Sequence, residues 1–283
     1  MSEQTVTPEL RQWMIEQAGA GQPSEAVLQS MLDSGWTADV AEAALEEVLS
    51  RFLTDHALKN KLPLPVIVPE PLQGAATPTR WAGDRAVHVL VTMRSPRVIV
   101  FGGLLSDAEC DELIGLAGER LVRSETVQTA TGASEVNEAR TSEGMFFNRD
   151  ETPLISRIEA RMAALLDWPI ENGEGLQILR YRPGAEYKPH YDYFDPEQPG
   201  TPTILQRGGQ RVASLVCYLN TPGKGGATVF PDIHLDVAPV KGNAVFFSYD
   251  RPHPMTRSLH GGAPVLEGEK WVATKWVRER RFD

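Results

Sequence analysis

The sequence predicts a mainly β protein, a β-sandwich or barrel with helices packed on one side, preceded by a small three-helix domain. Three observations predict this arrangement. The first sixty residues repeat apolar side chains at helical spacing, the next twenty are rich in proline, and the remainder alternates short apolar runs with glycine- and proline-containing turns. Spacing of three to four residues is typical of amphipathic helices, whereas short runs bounded by turn residues are typical of strands.

Residues 1–60 are predicted to form a small acidic domain of three helices. Thr7 before Pro8, Pro23 and Thr37 are suitable helix starts, because threonine can accept from a free amide and proline fits the first turn. The domain holds ten acidic and three basic side chains, so it carries most of the net charge of −10. We expect it to pack, to dimerise or to bind a protein partner.

Residues 61–80 are predicted to be a linker, because they contain Pro63, Pro65, Pro69, Pro71 and Pro78. Proline lacks an amide proton and fixes φ, so this density prevents a helix and favours extended, semi-rigid chain. The second domain is therefore predicted to span residues 81–283.

Two helices and several short strands are predicted within residues 81–283. Ser106 and Glu109 form an S-x-x-E capping box, and Thr152-Pro153 is suited to begin a second helix. Strands are predicted at 98–101, 176–182, 211–219, 227–230, 234–240, 243–249 and 270–277.

Composition excludes several classes of function. No apolar run approaches the length of a membrane span, and no clustered positive charge predicts nucleic-acid binding. The N-terminus has no basic segment followed by an apolar run, and Cys110 and Cys217 have neither metal-ligand nor redox spacing. A cytoplasmic location is expected.

The segment KPHYDYF contains a candidate metal site. Because side chains alternate along a strand, His190 and Asp192 are predicted to project from the same face. An imidazole beside a carboxylate is two-thirds of the 2-His-1-carboxylate triad that binds iron(II) and leaves coordination positions open.

The distal segment SLHGGAPVLEGEKWVATKW offers His260 as the third ligand. Lys270 follows ten residues later, and the intervening turn predicts that the chain returns on an adjacent antiparallel strand with Lys270 inside the barrel. A buried cation beside an open iron site suits the distal carboxylate of a chelating 2-oxo acid. His253, between two prolines, is the competing third ligand.

Several stretches resemble the prolyl 4-hydroxylase family of iron(II)- and 2-oxoglutarate-dependent dioxygenases. They occur in family order over most of residues 95–283: RTSEGMFFNR, ENGEGLQILRYRPGAEYKPHYDYF, GGQRVASLVCYLNTPGKGGATVFP, KGNAVFFSYD and HGGAPVLEGEKWVATKWVRER. The resemblance implies a double-stranded β-helix (jelly roll) and the use of Fe(II), 2-oxoglutarate, O2 and ascorbate.

The resemblance also implies roles for individual residues. Iron ligands carry over to His190, Asp192 and His260, and the cation for the C5 carboxylate of 2-oxoglutarate carries over to Lys270, with Tyr181 and Thr228 as hydrogen-bonding helpers. For a peptide groove, the family suggests Tyr187 and Arg211.

Two polar segments, Arg123–Glu138 and Phe194–Gly209, are predicted to close over the site as lids. The expected reaction is 4-hydroxylation of prolyl residues in a peptide or protein, coupled to decarboxylation of 2-oxoglutarate to succinate. Two alternatives stay open: hydroxylation of a free amino acid or small metabolite, and a non-catalytic scaffold that binds metal and 2-oxoglutarate and acts through the helical domain.

Overall fold

The computed structural model describes residues 4–72, 77–127, 134–136 and 141–283, with only the backbone considered at 125–127 and 134–136. The chain divides into two compact units. The first reaches to Pro65, and the second contains Thr77–Asp283 together with Val66–Pro71. Part of the predicted linker therefore belongs to the larger unit.

Three helices form the N-terminal unit: α1 (Pro8–Gly19), α2 (Ser24–Asp33) and α3 (Ala38–Asn60). Thr7 caps α1 by accepting from the amide of Leu10 at 3.3 Å. Pro23 and Thr37 stand at the N-caps of α2 and α3 without a capping hydrogen bond from the side chain. The core of this unit is apolar and is formed by residues from all three helices: Met14, Val27, Met31, Ala41, Ala44, Leu45 and Val48.

The larger unit is built on two antiparallel β-sheets. The strands of its nine-stranded sheet, in spatial order, are β1 (Thr79–Trp81), β2 (Ala86–Met93), β3 (Arg97–Gly102), β14 (Ala244–Ser248), β10 (Arg211–Tyr218), β17 (Lys270–Arg278), β8 (Leu176–Tyr181), β7 (Glu143–Phe147) and β4 (Val122–Arg123). The four-stranded sheet has the order β13 (Leu235–Val237), β12 (Thr228–Phe230), β15 (His260–Gly262) and β9 (Tyr187–His190). Two small ribbons pair β11 (Lys224–Gly225) with β16 (Val265–Glu267), and β5 (Glu125–Val127) with β6 (Ser134–Val136).

A core of aromatic and aliphatic side chains from both sheets includes Tyr181, Tyr218, Phe230, Phe247 and Val272. Pairs of apolar faces buried in this way supply most of the stabilisation of a β-sandwich. The predicted mainly β class and the double-stranded β-helix are confirmed.

Helices α4 (Asp107–Gly118), α5 (Pro153–Leu166) and α6 (Thr201–Leu205) complete the larger unit. The predicted capping box is confirmed, since Ser106 and Glu109 bond each other's backbone amides. Thr152 likewise caps α5, whose buried face is mostly apolar but includes Glu159 and Arg161. Within the described residues, no helix is long and apolar enough to cross a membrane.

Both segments predicted to be lids contain some regular structure. The segment Phe194–Gly209, predicted to be a lid, contains the short helix α6. Much of Arg123–Glu138 lies outside the described residues. Within this segment the structure describes the backbone pairing of β5 with β6.

Candidate metal centre and cosubstrate pocket

Two neighbouring strands bring the predicted metal ligands together. His190 is the last residue of β9 and His260 the first of β15, and the two stand opposite each other in the antiparallel register. Asp192 follows two residues after His190, beyond the end of β9, so the prediction that both lie on one strand was wrong. Their ligand atoms nevertheless all lie within 4.8 Å of one another.

Backbone carbonyls orient both imidazoles. Nδ1 of His190 lies 2.9 Å from the carbonyl oxygen of Lys188, and Nδ1 of His260 lies 3.0 Å from that of Ser258. Each ring therefore carries its proton on Nδ1 and turns Nε2 towards Asp192, at 3.5 Å and 3.4 Å from a carboxylate oxygen. An imidazole held in this way is ready to coordinate through Nε2.

The Asp192 carboxylate is buried and held by a short chain of hydroxyl groups. Ser214 donates to Oδ2 of Asp192 at 2.6 Å, and the Tyr249 hydroxyl lies 3.0 Å from Ser214 Oγ. Burial alone would raise the pKa of Asp192, but its contacts with His260 and His190 hold that pKa below its usual range. Burial lowers the pKa of His260 to about 4.

An ionised Asp192 carboxylate and a neutral His260 imidazole are the states in which these two side chains bind a divalent metal. Two imidazole nitrogens and one carboxylate oxygen on one side of an open cleft match the ligand set that binds iron(II) in non-haem oxygenases. The residues present therefore fit the metal that the sequence predicted.

The cleft beside the triad is small and partly open to solvent, with a volume of about 50 Å³. It is lined by the triad and by residues from both sheets: Leu179, Tyr181, Tyr187, Val216, Thr228, Gly261, Gly262, Lys270, Val272, Thr274 and Trp276. Lys270 reaches it from β17, which belongs to the sheet opposite β15. The prediction that His260 and Lys270 lie on adjacent strands was wrong, because the turn after Gly262 crosses from one sheet to the other.

Lys270 is the buried cation of this cleft and is only 4% exposed. Burial lowers its pKa to about 8, and no charge among the described residues opposes that effect. Its ammonium lies 5.4 Å from the ring centre of Tyr181 and 5.8 Å from that of Tyr218. An ammonium without an anionic partner is costly in such surroundings, so the cleft favours a ligand with a carboxylate at this end.

Hydroxyl groups complete the same end of the cleft. Tyr181 stands opposite Lys270 in the register of β8 and β17. Tyr218 donates to Oγ1 of Thr228 at 2.8 Å, which leaves the proton of the Thr228 hydroxyl to donate elsewhere. One ammonium and two hydroxyl donors can satisfy one buried carboxylate.

The two residues predicted to contact a peptide occupy different surroundings. The Tyr187 ring lines the cleft and stacks on His190, with ring centroids 3.7 Å apart. Arg211 forms an ion pair with Glu174, at 2.6 Å from Oε1, and lies over the Trp276 ring at 4.0 Å. Its Nη1 is also 3.5 Å from the backbone oxygen of Asp192.

Sequence reasoning missed Glu174 and Trp276. Glu174 accepts from both Arg211 and Arg278, and these two charges hold its pKa low although burial opposes them. Trp276 lines the cleft, and its buried indole N–H has no hydrogen-bond partner among the described residues. Its spacing of six from Lys270 puts it on the same strand face, which is the signal that sequence analysis had available.

His253 lies apart from the triad. It is the N-cap of a short 3₁₀ turn (Pro254–Thr256), and its Nδ1 accepts from the amide of Met255 at 3.1 Å. Among the described residues, the side chains close enough together to share a metal ion are those of His190, Asp192 and His260, and His253 is not one of them.

Comparisons with known proteins agree with this geometry. Residues 176–278 match the 2OG-Fe(II) oxygenase superfamily. The chain is 41% identical to prolyl 4-hydroxylase 2 of Arabidopsis thaliana over 213 residues, which are 66% of this chain and 69% of that protein. It is 40% identical to prolyl 4-hydroxylase 1 of the same plant, over 71% of this chain and 78% of that protein.

A solved structure is similar as well. The viral collagen prolyl hydroxylase of Paramecium Bursaria Chlorella virus-1, in its 2OG complex, is 31% identical with a TM-score of 0.50. The match covers 64% of this chain and 95% of the viral chain.

Proposed function

The chain belongs to the prolyl 4-hydroxylase family of iron(II)- and 2-oxoglutarate-dependent dioxygenases, and we propose that it hydroxylates C4 of prolyl residues presented within a peptide or protein. The observation that carries the proposal is one cleft lined by both the His190–Asp192–His260 triad and the buried ammonium of Lys270. Such a cleft suits a ligand that chelates a metal at one end and presents a carboxylate at the other.

The three ligands bind iron(II), which when bound supplies the activation of O2 through oxidative decarboxylation of 2-oxoglutarate. Ser214 fixes the orientation of the Asp192 carboxylate. Lys270 binds the C5 carboxylate of 2-oxoglutarate by charge, and Tyr181 and Thr228 donate to its oxygens. Leu179 and Val272 form an apolar wall that keeps water away from that side of the reacting atoms.

Tyr187, Arg211 and Trp276 are proposed to position the peptide. The Tyr187 ring offers a flat apolar surface at the mouth of the cleft, suited to a pyrrolidine ring. The buried N–H of Trp276 has no partner in the part of the chain that the structure describes, which supports a peptide carbonyl as its partner, since such a donor is costly when left unsatisfied. The ion pair with Glu174 holds Arg211 beside this donor.

A peptide library of proline-containing sequences tests this proposal on the iron-loaded, full-length protein. We expect 2-oxoglutarate-dependent addition of one oxygen atom at proline, with one succinate formed per hydroxyl. Oxidation of free amino acids alone would support the small-molecule alternative. Binding of 2-oxoglutarate without succinate formation would support a scaffold. The same assay with and without ascorbate tests the expected need for this reductant.

A reducing compartment is proposed for the protein. Cys110 and Cys217 are both buried free thiols, and burial raises the pKa of Cys110 to about 11, so neither is suited to redox exchange. Localisation of the tagged protein tests this point.

A further inference from the structure

We propose that Tyr249 is a positioning residue of the metal centre, which acts through Ser214 to hold the Asp192 carboxylate so that Oδ1 alone is offered to the metal. This inference rests on the proposed function, because it concerns the same centre. Neither Tyr249 nor Ser214 is among the residues that line the cleft, so neither acts on a substrate directly.

The directions of the two hydrogen bonds follow from the protons available. Ser214 Oγ lies 2.6 Å from Oδ2 of Asp192 and 3.0 Å from the hydroxyl oxygen of Tyr249. An ionised carboxylate can only accept, so the single hydroxyl proton of Ser214 is donated to Asp192. Tyr249 is therefore the donor of the second bond. This bond fixes the hydroxyl of Ser214 in the orientation that points its proton at Oδ2.

Packing fixes the position of the outer donor. Ser214 is 0% and Tyr249 1% exposed, so solvent does not compete for either hydroxyl. The Tyr249 ring lies edge-on to Tyr193, with centroids 6.0 Å apart, and tilted against Phe247 at 6.3 Å. Burial raises the pKa of Tyr249 well above its usual value, so the phenol keeps the proton that it donates. Hydrogen bonds between buried, fixed groups orient their partners closely.

Asp192 depends on such contacts because it lies beyond the end of a strand. β9 ends at His190, so pairing within the sheet does not fix the Asp192 backbone. Arg211 reaches its backbone oxygen at 3.5 Å, and Ser214 holds its side chain. Oδ1 accepts no hydroxyl hydrogen bond from the described residues and lies 3.5 Å from Nε2 of His190. Oδ1 is therefore the oxygen that is free to coordinate.

The number of carboxylate oxygens on the metal decides how many positions stay open. In an octahedral arrangement, two imidazoles and one carboxylate oxygen occupy half of the six positions. A chelating 2-oxo acid takes two more, which leaves one for O2. A second oxygen from Asp192 would fill that last position. The bond from Ser214 holds Oδ2 back from the metal, and Tyr249 keeps Ser214 aimed at Oδ2.

Tyr249→Phe removes only the phenol hydroxyl and tests the proposal on the iron-loaded, full-length protein with a proline peptide. We expect the apparent KM for O2 to rise several-fold and the KM for 2-oxoglutarate to stay unchanged, because Lys270 still binds the far carboxylate. Ser214→Ala should have the larger effect, roughly tenfold or more, as is usual when a group behind a metal ligand is lost. Ser214→Thr keeps a hydroxyl and should retain most of the wild-type response to O2.

Tyr193→Phe is the matched control. It removes a phenol hydroxyl from the same aromatic cluster, but within the described part of the chain that hydroxyl bonds neither Ser214 nor Asp192. It should leave the KM for O2 unchanged. Adding Tyr249→Phe to Ser214→Ala should cause no further change in this KM, because Tyr249 acts through Ser214. A purely structural role for Tyr249 would instead lower the melting temperature without changing the KM for O2.

Crystal structures of the protein with manganese(II) and 2-oxoglutarate provide a readout that does not depend on turnover. We expect Oδ1 of Asp192 alone on the metal in the wild type, and both oxygens in Ser214→Ala. Coordination through Oδ2 in the wild type would overturn the proposal, as would an unchanged KM for O2 in Tyr249→Phe. If the wild type hydroxylates no proline peptide, the proposed function fails, and the manganese structures still decide whether Ser214 and Tyr249 position Asp192.

Discussion

Lys270 and Tyr181 stand directly opposite each other on β17 and β8, with the ammonium of the lysine 5.4 Å from the centre of the tyrosine ring. An aromatic face stabilises a cation only modestly, by about 0.5–2 kcal/mol. Burial remains the dominant effect and lowers the pKa of Lys270 to about 8. The pair is therefore a prepared site for an anion rather than a satisfied structural contact.

The affinity for 2-oxoglutarate should fall as the pH rises above about 8. 2-Oxoglutarate binds to the ammonium form of Lys270, and the bound carboxylate raises the pKa of that lysine again. Above about pH 8 the free enzyme has lost this proton, so binding must take up a proton from solution. The dissociation constant should rise by roughly tenfold per pH unit beyond that point. Calorimetric titration of the metal-loaded protein with 2-oxoglutarate at several pH values measures this dissociation constant.

Lys270→Arg supplies the control for this pH dependence. A guanidinium stays protonated throughout this range but fits a shaped pocket differently, so binding should be weaker and nearly independent of pH. An equally steep pH dependence in Lys270→Arg would show that another group titrates.

Lys270→Ala should raise the apparent KM for 2-oxoglutarate by at least about tenfold, because loss of a buried charge partner costs on the order of 2–5 kcal/mol. The matched control is Lys275→Ala on the same strand. Lys275 is also buried, but it pairs with Glu159 and the Glu174 carbonyl. Its loss should lower stability and leave the KM unchanged. Full activity in Lys270→Ala would remove 2-oxoglutarate from the mechanism.

The residues around Lys270 illustrate what the sequence could and could not predict. The odd spacing of Lys275 from Lys270 predicts opposite faces of β17, and the structure agrees. The sequence could not show that β15 and β17 lie in different sheets. A glycine-rich turn such as the one after His260 can form a hairpin or can carry the chain from one sheet to the other.

Replacing a metal ligand should abolish turnover. His190→Ala and His260→Ala each remove one of the two nitrogens of the triad, so iron(II) affinity should fall strongly in both. His253→Ala should retain activity and iron binding, since its side chain only caps a turn. Iron content after dialysis and succinate formation are measured together. An inactive His253→Ala protein would show that the third ligand is misassigned.

Arg211 and Arg278 offer a matched pair for testing peptide recognition. Both bond Glu174, but only Arg211 also contacts the backbone oxygen of Asp192 and the Trp276 ring. Arg211→Gln should raise the KM for a proline peptide several-fold while uncoupled decarboxylation of 2-oxoglutarate persists. Arg278→Gln should lower thermal stability with a smaller change in that KM. Equal effects on KM would mean that Arg211 acts only through the shared ion pair.

The candidate site contains partners that no local pattern predicts. His190 and Asp192 are recognisable because their spacing is short and their chemistry specific. Ser214 lies in β10, Tyr249 follows β14, and Glu174 precedes β8. Their contacts with Asp192, with Ser214 and with Arg211, respectively, form only when these distant segments meet in the fold. A single serine or glutamate in a strand has many ordinary explanations, so three-dimensional contact is the information that the sequence lacks.

The proline-rich segment contains the first residues of the larger unit, Val66–Pro71, so truncation before or after them tests where that unit begins. A chain that starts at Val66 keeps the Val66–Asp250 hydrogen bond, the Arg97–Glu70 ion pair and the buried Pro69 and Pro71. A chain that starts at Thr77 loses all of them. Both should fold, because every residue given a chemical role lies at or after Glu174 and about 200 residues can bury their own core.

Both truncated proteins should therefore bind iron and decarboxylate 2-oxoglutarate at rates close to the full-length rate. The shorter one should melt several degrees lower, since each kcal/mol of lost stability is worth about 2–4 °C in a domain of this size. Differential scanning fluorimetry and succinate release measure the two quantities. Equal melting temperatures would show that Val66–Pro71 contributes no stability. Failure of the Val66 chain to bind iron would show that the helical residues are part of the catalytic core. Loss of turnover confined to long protein substrates would instead indicate that they recruit the substrate.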